Sequence, residues 1–545
     1  MESPCTDDGA LMVDVGIIGA GFSGCYALHK FRLLGFTAKV LEAGSDFGGV
    51  WHFNRYPGAR VDSDTPSYQL NIAKVWESFN FTERYASHEE LRKYFTHVAD
   101  TLDLRKDTVF NARVKEVRYD VRARTWALST TNGLRLTCRF VVFGTGSLTK
   151  PYVPAFPKLD EFAGQVIHPR HWPDGLDVRG KRIGIIGQGA TGLQIVQELA
   201  KQDCELSVFV RSPCIAVPMR QRSLSFEETE QMKNLYEGIF FKAKYGSASA
   251  LPYNQSCGKF VEATEVEQQA RYERLWARGG LALTWSNYVD IMKDEAANSS
   301  LYNFWVQKVR SRMSNHEKMD IVAPLRQSEH FGCRRVNLEE DYYEMLDRPN
   351  VAIVDLKARP IREFHQDGIL VGHHLPAQLI PLDIVVFATG YDSFRGGLFD
   401  MNIYDKHGVR LQRRWGAGIS TYLGMVADGL PNAFFLYGPQ APTSQANAPS
   451  FIELQVDWIA AVLRKLRAEG LKSFEVSVDA CRKWKEQVKS EFEKSLMKES
   501  RAWWTGANVP GKTQEPMIYF GGVKQWTQEC RQALADWSRF SVEGV

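Results

Sequence analysis

The sequence predicts an α/β fold with two Rossmann-like dinucleotide-binding domains, because one strand–turn–helix–strand pattern occurs twice. The first copy has apolar stretches at 13–18 and 37–41, and the second has them at 181–186 and 206–210. Both turns read G-x-G-x-x-G, with Gly19, Gly21 and Gly24 in the first and Gly187, Gly189 and Gly192 in the second. Such turns let a pyrophosphate approach backbone N–H groups at a helix N-terminus.

The residue that ends the second strand differs between the two copies. Glu42 ends it in the first, and an acid there can hydrogen-bond ribose hydroxyls. Arg211, followed by Ser212, ends it in the second, where a guanidinium can hold a 2′-phosphate. The first unit is therefore predicted to bind FAD or NAD, and the second NADPH. A chain with both sites most economically passes a hydride from NADPH to a flavin, so FAD and NADPH are the predicted cofactors.

Two further apolar strands end in glycine turns, at 140–146 and 383–390. They are typical of crossings between two such domains, although ordinary buried strands have the same pattern. The predicted FAD-binding domain is split between 10–150 and 386–530. The predicted NADP-binding domain comprises 151–220 and 325–385, with a charged, helix-rich insertion over 221–324, so the fold class includes a helical insertion in the NADP domain.

Composition narrows the function classes. The chain has 545 residues, 44% of them hydrophobic, and a formal charge of +3, which indicates several globular domains and disfavours a nucleic-acid binder. No apolar run approaches the ~18 residues of a membrane span, and the polar first residues predict no signal peptide. Nine scattered cysteines without a C-x-x-C pair are typical of a reducing compartment, so a cytoplasmic protein is expected. His168 and His171 have no nearby third ligand, and no metal is predicted.

The cysteine pattern also bears on how a reduced flavin would be used. Dithiol reductases need a redox-active cysteine pair beside the flavin ring, and the spacing here supplies none. Molecular oxygen is the main remaining acceptor for the electrons of the reduced flavin.

Four segments carry a resemblance to a known family. Residues 162–173 match F-x-G-x-x-x-H-x-x-x-W-P through Phe162, Gly164, His168, Trp172 and Pro173. Residues 48–62 match G-G-x-W-x-x-x-x-Y-P-G-x-x-x-D, and the segments 331–335 and 503–512 follow in family order. The chain resembles the Baeyer–Villiger monooxygenases of the single-chain FAD type over nearly its whole length. The related N- and S-oxidising flavin monooxygenases share only a shorter form of the first signature.

The resemblance implies a ketone-to-ester or ketone-to-lactone reaction that uses NADPH and O2. In this family a C4a-peroxyflavin attacks the ketone, and the resemblance assigns stabilisation of the anionic peroxide and of the adduct to Arg335. An arginine suits this role because it does not lose its proton. Asp62 would orient Arg335, and sulfoxidation is expected as a side activity. The expected partners are O2 and a small ketone, with no nucleic acid and no membrane.

The resemblance also implies cofactor contacts. Arg334, at a position that is commonly lysine in the family, joins Arg211 and Ser212 as a clamp for the 2′-phosphate, with Thr191 in the glycine turn. Trp503 matches a tryptophan in a mobile loop that folds over NADP⁺. The expected FAD contacts beside the glycines are Phe22, Ser23, Glu42, Val50, Trp51, Asp62, Tyr68 and Val114.

Residues 438–449 match a pocket-lining loop of the family, and Gln445, Ala446 and Ala448 are the expected pocket residues. Small side chains at 446 and 448 suggest a roomy pocket for long or bulky ketones. Two alternatives stay open from the sequence: an N- or S-oxygenating flavin monooxygenase, and a catalytically silent flavoprotein that senses NADP.

Overall fold

The computed structural model describes residues 9–254, 257–373 and 377–544. The stretch on which the signal-peptide expectation depends, residues 1–8 with Cys5, lies outside these ranges. The cysteines inside them all have free thiols. Across the same ranges, no helix is both long enough and apolar enough to cross a membrane.

The described chain contains twenty strands. In chain order they are β1 (Leu11–Ile18), β2 (Ala38–Leu41), β3 (Thr108–Val109), β4 (Val114–Asp120), β5 (Thr125–Thr130), β6 (Arg135–Phe143), β7 (Gln165–Ile167), β8 (Lys181–Ile186), β9 (Cys204–Val210), β10 (Ala216–Pro218), β11 (Asn337–Glu339), β12 (Val351–Asp355), β13 (Ile361–His365), β14 (Gly368–Val371), β15 (Gln378–Pro381), β16 (Ile384–Phe387), β17 (Ile403–Tyr404), β18 (Ala433–Phe435), β19 (Ser473–Val476) and β20 (Phe540–Glu543).

Seventeen α-helices lie within the same described ranges. They are α1 (Phe22–Leu33), α2 (Val50–Phe53), α3 (Ala73–Trp76), α4 (His88–Thr101), α5 (Ala190–Leu199), α6 (Phe226–Lys233), α7 (Tyr236–Tyr245), α8 (Glu265–Arg278), α9 (Ala282–Trp285), α10 (Glu295–Arg310), α11 (His316–Val322), α12 (Tyr342–Asp347), α13 (Arg395–Phe399), α14 (Leu411–Arg414), α15 (Ala448–Ala468), α16 (Val478–Glu493) and α17 (Gly522–Ala535).

The larger sheet has eight strands in the order β17-β4-β5-β6-β1-β2-β3, with β18 also paired to β6. Its centre is parallel: β1 pairs with β2 and β6, and β6 pairs with β18. The strands β4 and β5 form an antiparallel extension. Val15 and Ile17 of β1 are fully buried, as expected for a parallel strand covered on both faces.

The second sheet has five parallel strands in the order β12-β9-β8-β16-β7. Strand β16 lies between β7 and β8, although almost 200 residues of chain separate it from β8. The strands β13, β14 and β15, which lie between β12 and β16 in the chain, form a small antiparallel sheet. Both sheets are parallel at their centre, and each contains an inner strand, β1 or β8, that runs into a glycine turn, which confirms the predicted fold class.

Each glycine turn is closed by its third glycine. A Cβ on Gly24 would lie 1.9 Å from the carbonyl oxygen of Gly19, and a Cβ on Gly192 would lie 2.1 Å from that of Gly187. No side chain fits at these distances, so helices α1 and α5 begin in direct contact with their turns. This close packing points the N-terminus of each helix at the space beyond the strand.

We therefore expect Gly24→Ala to disrupt the first turn. The clash should lower the free energy of unfolding by at least about 1–3 kcal/mol and reduce the bound FAD, because the added methyl group meets backbone rather than a flexible side chain. Thermal unfolding and the flavin absorbance of the purified protein measure both effects. Gly238→Ala is the control, since a Cβ on Gly238 in α7 meets nothing within 4 Å. An unchanged melting temperature and flavin content in Gly24→Ala would contradict this account.

Candidate active site

A cavity of about 1470 Å³ opens where the parallel strands of both sheets end. Its wall includes Gly19 after β1, Gly144 after β6, Gly187 after β8 and Thr389 after β16. Ligands of open α/β sheets bind at this carboxyl edge. Ordinary small-molecule sites have volumes of about 300–1,000 Å³, so this cavity has room for more than one ligand.

Most of the expected flavin contacts line this cavity. They are Gly19, Gly21, Phe22, Ser23, Glu42, Val50, Trp51, Asp62, Tyr68 and Val114. Gly24 is absent from the lining because it packs against its own turn. The ring nitrogen of Trp51 donates to the hydroxyl of Tyr68 at 3.1 Å, and Phe22 meets the Tyr68 ring edge-on with centroids 5.2 Å apart. These bonds fix an aromatic wall on the first-unit side.

Glu42 is buried at the end of β2, with 4% of its surface exposed. Its two carboxylate oxygens accept the backbone N–H groups of Ala20 and Gly44, each at 2.6 Å. Burial raises the pKa of the Glu42 carboxyl, and the two backbone bonds oppose that rise. The carboxylate is therefore held at the rim of the glycine turn with lone pairs left to accept ribose hydroxyls.

Arg335 and Asp62 form a two-point ion pair in the cavity wall. The Nε of Arg335 donates to Asp62 Oδ2 at 2.6 Å, and Nη2 donates to Asp62 Oδ1 at 3.0 Å. A third bond runs from Nη1 to the carbonyl oxygen of Ser444 at 2.7 Å. Burial acts to lower the pKa of the Arg335 guanidinium, but the facing Asp62 carboxylate outweighs it and the pKa stays above its usual value. Arg335 is a permanent, oriented positive charge.

The expected NADP contacts line the same cavity on the side of the second glycine turn. The cavity is lined there by Gly187, Gly189, Thr191, Arg211, Ser212, Arg334 and Trp503, while Gly192 packs behind its turn. Arg211 is exposed at the end of β9. Arg334 bonds through Nη2 to Glu329 at 2.9 Å, and its buried Nε has no hydrogen-bond partner. Trp503 stacks on Phe394, with ring centroids 6.1 Å apart.

The five residues that define the first signature are not part of the cavity lining, whereas Arg170 and His171 of the same segment are. None of Phe162, Gly164, His168, Trp172 and Pro173 is among the described lining residues. His168 Nε2 bonds to the carbonyl oxygen of Gly390 at 3.0 Å, and Nδ1 accepts the backbone N–H of Arg170 at 3.2 Å. The histidine thus ties the segment after β7 to the segment after β16. Within the described ranges, no three His, Cys, Asp or Glu side chains come together as a metal site.

Only two of the three expected pocket residues of the loop 438–449, called the substrate loop below, line the cavity. Ala446 and Ala448 line the cavity, together with Ser444 and Asn447, whereas Gln445 does not. The backbone of this loop reaches Arg335 through the Ser444 carbonyl.

Sequence reasoning missed several residues that join the two halves of the site. The Tyr56 hydroxyl donates to Gln194 of α5 at 3.0 Å and accepts from Thr191 at 3.3 Å. Tyr391 donates to Asn54 at 2.7 Å. Tyr56 belongs to the second signature and was a visible signal. Gln194 and Asn54 are ordinary polar residues in sequence. The docking of the two units pairs Gln194 with Tyr56, and the return of the chain after β16 pairs Asn54 with Tyr391.

The residues present fit two dinucleotides. Two glycine turns leave no room for side chains beside two helix N-termini, and a buried carboxylate and exposed guanidinium occupy the equivalent strand ends. The orphaned Nε of Arg334 is a donor for an anionic group. The fold and the cavity therefore define a protein with two dinucleotide sites that open into one cavity.

Comparisons with known proteins extend this description. Residues 13–216 match the family model of flavin-binding monooxygenase-like proteins. The FAD-binding monooxygenase acrE of Aspergillus aculeatus is 36% identical over 98% of this chain and 89% of its own length. A Baeyer–Villiger monooxygenase of Pseudooceanicola batsensis is 33% identical over 94% of this chain and 92% of its own.

The crystal structure of OTEMO in complex with FAD and NADP superimposes with a TM-score of 0.92 at 32% identity, covering 97% of this chain and 99% of that one. The chain belongs to the Baeyer–Villiger monooxygenases, which are flavin monooxygenases that use FAD and NADP. The predicted family, activity class and cofactors are confirmed, and the two alternatives are not favoured.

The position of His168 predicts a pH-dependent stability. Burial lowers its pKa from the ordinary 6.5, so below pH 6.5 the unfolded chain binds a proton at this site more readily than the folded chain. The free energy of unfolding therefore falls as the pH drops below 6.5. We expect His168→Gln, which keeps a donor for Gly390, to make the melting temperature less dependent on pH between about 8 and 5. His316→Gln, at an exposed position, is the control, and an equal slope in both variants would contradict the assignment.

Proposed function

We propose that this enzyme converts a small ketone into an ester or lactone with NADPH and O2, and that Arg335 supplies the fixed positive charge at the reacting centre. The single observation that carries this proposal is the Arg335 guanidinium, held at three points in the wall of the two-cofactor cavity. Asp62 is proposed as the residue that positions it.

When bound, FAD accepts the hydride of NADPH and reacts with oxygen. The chain's own part is electrostatic. The N–H groups of Arg335 that Asp62 and Ser444 do not use are available to an oxygen atom that gains negative charge in the cavity. Because arginine keeps its proton, it stabilises that charge without protonating the oxygen. A lysine has one charge centre and no planar fork, so it does not reproduce the three-point hold.

Burial around Arg335 strengthens this effect. Tyr68 and Ala446 are buried, and Tyr437 beside them donates its hydroxyl to the Thr443 carbonyl at 2.7 Å. A wall of aromatic and small side chains excludes water, and charges interact more strongly where water is excluded. The small side chains of Ala446 and Ala448 support the proposal of a roomy pocket for long or bulky ketones, with sulfoxidation as a side activity.

The second glycine unit is proposed to select NADPH through a clamp of Arg211, Ser212 and Arg334. All three line the cavity, and Arg334 has an unused buried donor. In the first glycine unit, Glu42 is proposed to accept the ribose hydroxyls of FAD. The proposed domain boundaries are 10–150 with 386–530 and 151–220 with 325–385, around the insertion 221–324. The stretches that supply the strands of each sheet support them, except that β16 of the second sheet runs to Phe387, two residues past 385.

The function is tested by supplying ¹⁸O2 and NADPH to the FAD-loaded enzyme with a panel of ketones from acetone to bulky cyclic ketones. We expect an ester or lactone that carries one ¹⁸O atom. Arg335→Ala should still oxidise NADPH, but product formation should fall by about 10²–10³-fold because the developing charge loses its partner. Asp62→Asn, which keeps the shape of the side chain, should have a smaller loss. Peroxide without ester from the whole panel, or normal product from Arg335→Ala, would refute the proposal.

The phosphate clamp is tested through coenzyme preference. Arg211→Ala and Arg334→Ala should each raise the KM for NADPH by about 10- to 100-fold, since each removes a charge-assisted hydrogen bond, and should leave the KM for NADH nearly unchanged. Steady-state NAD(P)H oxidation gives both constants. Arg179→Ala is the matched control, because Arg179 lies in the same stretch of chain and forms an exposed ion pair with Asp177. Equal effects on NADPH and NADH would exclude a 2′-phosphate contact.

A further inference from the structure

An ion pair in the protein interior joins the helical insertion to the helix that follows the substrate loop. Lys244 near the end of α7 contacts the carboxylate of Glu453 in α15. Lys244 is 7% exposed and Glu453 is fully buried. Burying two charges costs several kcal/mol per ion, so such a pair is weak evidence for stability and often fixes one arrangement of the chain instead.

Helix α15 contacts the chain at both ends of the substrate loop. The helix begins directly after Asn447, whose side-chain nitrogen donates to the Ser67 carbonyl at 2.7 Å. Inside the helix, Gln455 accepts the backbone N–H of Tyr437 at 2.8 Å, which fixes the start of the loop. The Oε1 of Glu453 accepts the backbone N–H of Asn71 at 2.5 Å. A shift of α15 would therefore move both ends of the loop that contacts Arg335.

The insertion reaches the same loop a few residues after Lys244. The backbone N–H of Asn447 donates to the Ser249 carbonyl at 2.8 Å. The hydroxyl groups of Ser247 and Ser249 are buried and lie 3.1 Å apart, and Val523 of α17 donates its backbone N–H to the Ala248 carbonyl at 2.8 Å. The segment from 244 to 249 is thus held at both its ends against the base of the substrate loop.

We propose that Lys244 is a positioning residue of the substrate site: through Glu453 it sets the place of α15, and thereby the conformation of the loop 440–448 that presents Ser444 to Arg335 and Ala446 to the ketone. The part of this inference that concerns the ketone rests on the proposed function. The part that concerns the loop does not, because loop order is measurable without turnover.

The chain offers a matched control on the same helix. Asp457, one turn after Glu453, pairs with Lys30 of α1 at 2.7 Å. The side chains of Lys30 and Asp457 are 31% and 38% exposed, so this pair is in contact with water. Exposed pairs contribute little, and this one does not reach the insertion. Asp457→Asn removes a carboxylate from α15 without touching the Lys244 contact.

The first measurement is hydrogen exchange of residues 440–448 in the FAD-loaded protein with NADP⁺. We expect exchange to rise by about tenfold in Lys244→Met and in Glu453→Gln, because the loop loses its support, and to stay at the wild-type rate in Asp457→Asn. Wild-type exchange in both Lys244→Met and Glu453→Gln would overturn the proposal, whatever the enzyme does with ketones.

A double variant separates positioning from simple stability. Each single substitution leaves one buried charge unpaired and destabilises the fold, whereas Lys244→Met with Glu453→Gln removes both charges and should regain the melting temperature. We expect this double variant to fold, to bind FAD, and still to exchange faster over 440–448. Wild-type exchange in a stably folded double variant would show that the pair serves stability alone and would refute the inference.

The second readout is the split between KM and kcat for the ketone that the wild-type enzyme converts best. The double variant should have a KM for that ketone raised by about tenfold, with flavin reduction by NADPH unchanged, since misplacing a binding loop affects substrate positioning first. An unchanged KM would contradict the role in substrate binding. If the wild-type enzyme converts no ketone, the proposed function fails, and the exchange experiment still decides the role of Lys244 in the loop.

Discussion

The ion pair between Arg335 and Asp62 is the interaction on which the site depends. Asp62 lies in the first glycine unit and Arg335 follows the helical insertion, and 273 residues of chain separate them. The pair therefore forms only when the two units are docked, and the contact of Tyr56 with Gln194 helps to hold that docking. The guanidinium is fixed by two hydrogen bonds to the Asp62 carboxylate and one to the Ser444 carbonyl. Its position is therefore set before any charge develops beside it. Such preorganised charge is the main way in which a protein stabilises a developing anion.

The two glycine units carry side chains of opposite charge at equivalent strand ends, Glu42 in the first and Arg211 in the second. Glu42 is buried and its carboxylate accepts two backbone N–H groups, so it is suited to accept hydrogen bonds from neutral hydroxyls without repelling an anion that lies further away. Arg211 is exposed at the rim, where its charge costs little desolvation and is free to meet a phosphate. This difference in burial agrees with an adenosine ribose on one side and a 2′-phosphate on the other.

The first family signature has a structural rather than a chemical place in this protein. His168 bonds to the backbone after β16, and none of the five signature side chains reaches the cavity. The segment connects the two chain crossings, at the ends of β6 and β16, that lead between the sheets. These contacts tie the segment to both crossings, which is a structural reason for a family pattern at positions outside the cavity lining. Lys244 and Glu453 act similarly at the base of the substrate loop.

The sequence alone determined the local units of this protein: both glycine turns, the strands that lead into them, and the contrast between Glu42 and Arg211. Each of these depends on a short continuous stretch, where sterics and the apolar pattern decide the backbone. The family motifs added Arg335 and Asp62 as a pair without giving their geometry. Only the tertiary structure decided that His168 lies away from the cavity, that Gln445 is not in its lining while Ala446 is, and that Lys244 meets Glu453 in the interior. These outcomes depend on how segments hundreds of residues apart pack against one another, which no local pattern encodes.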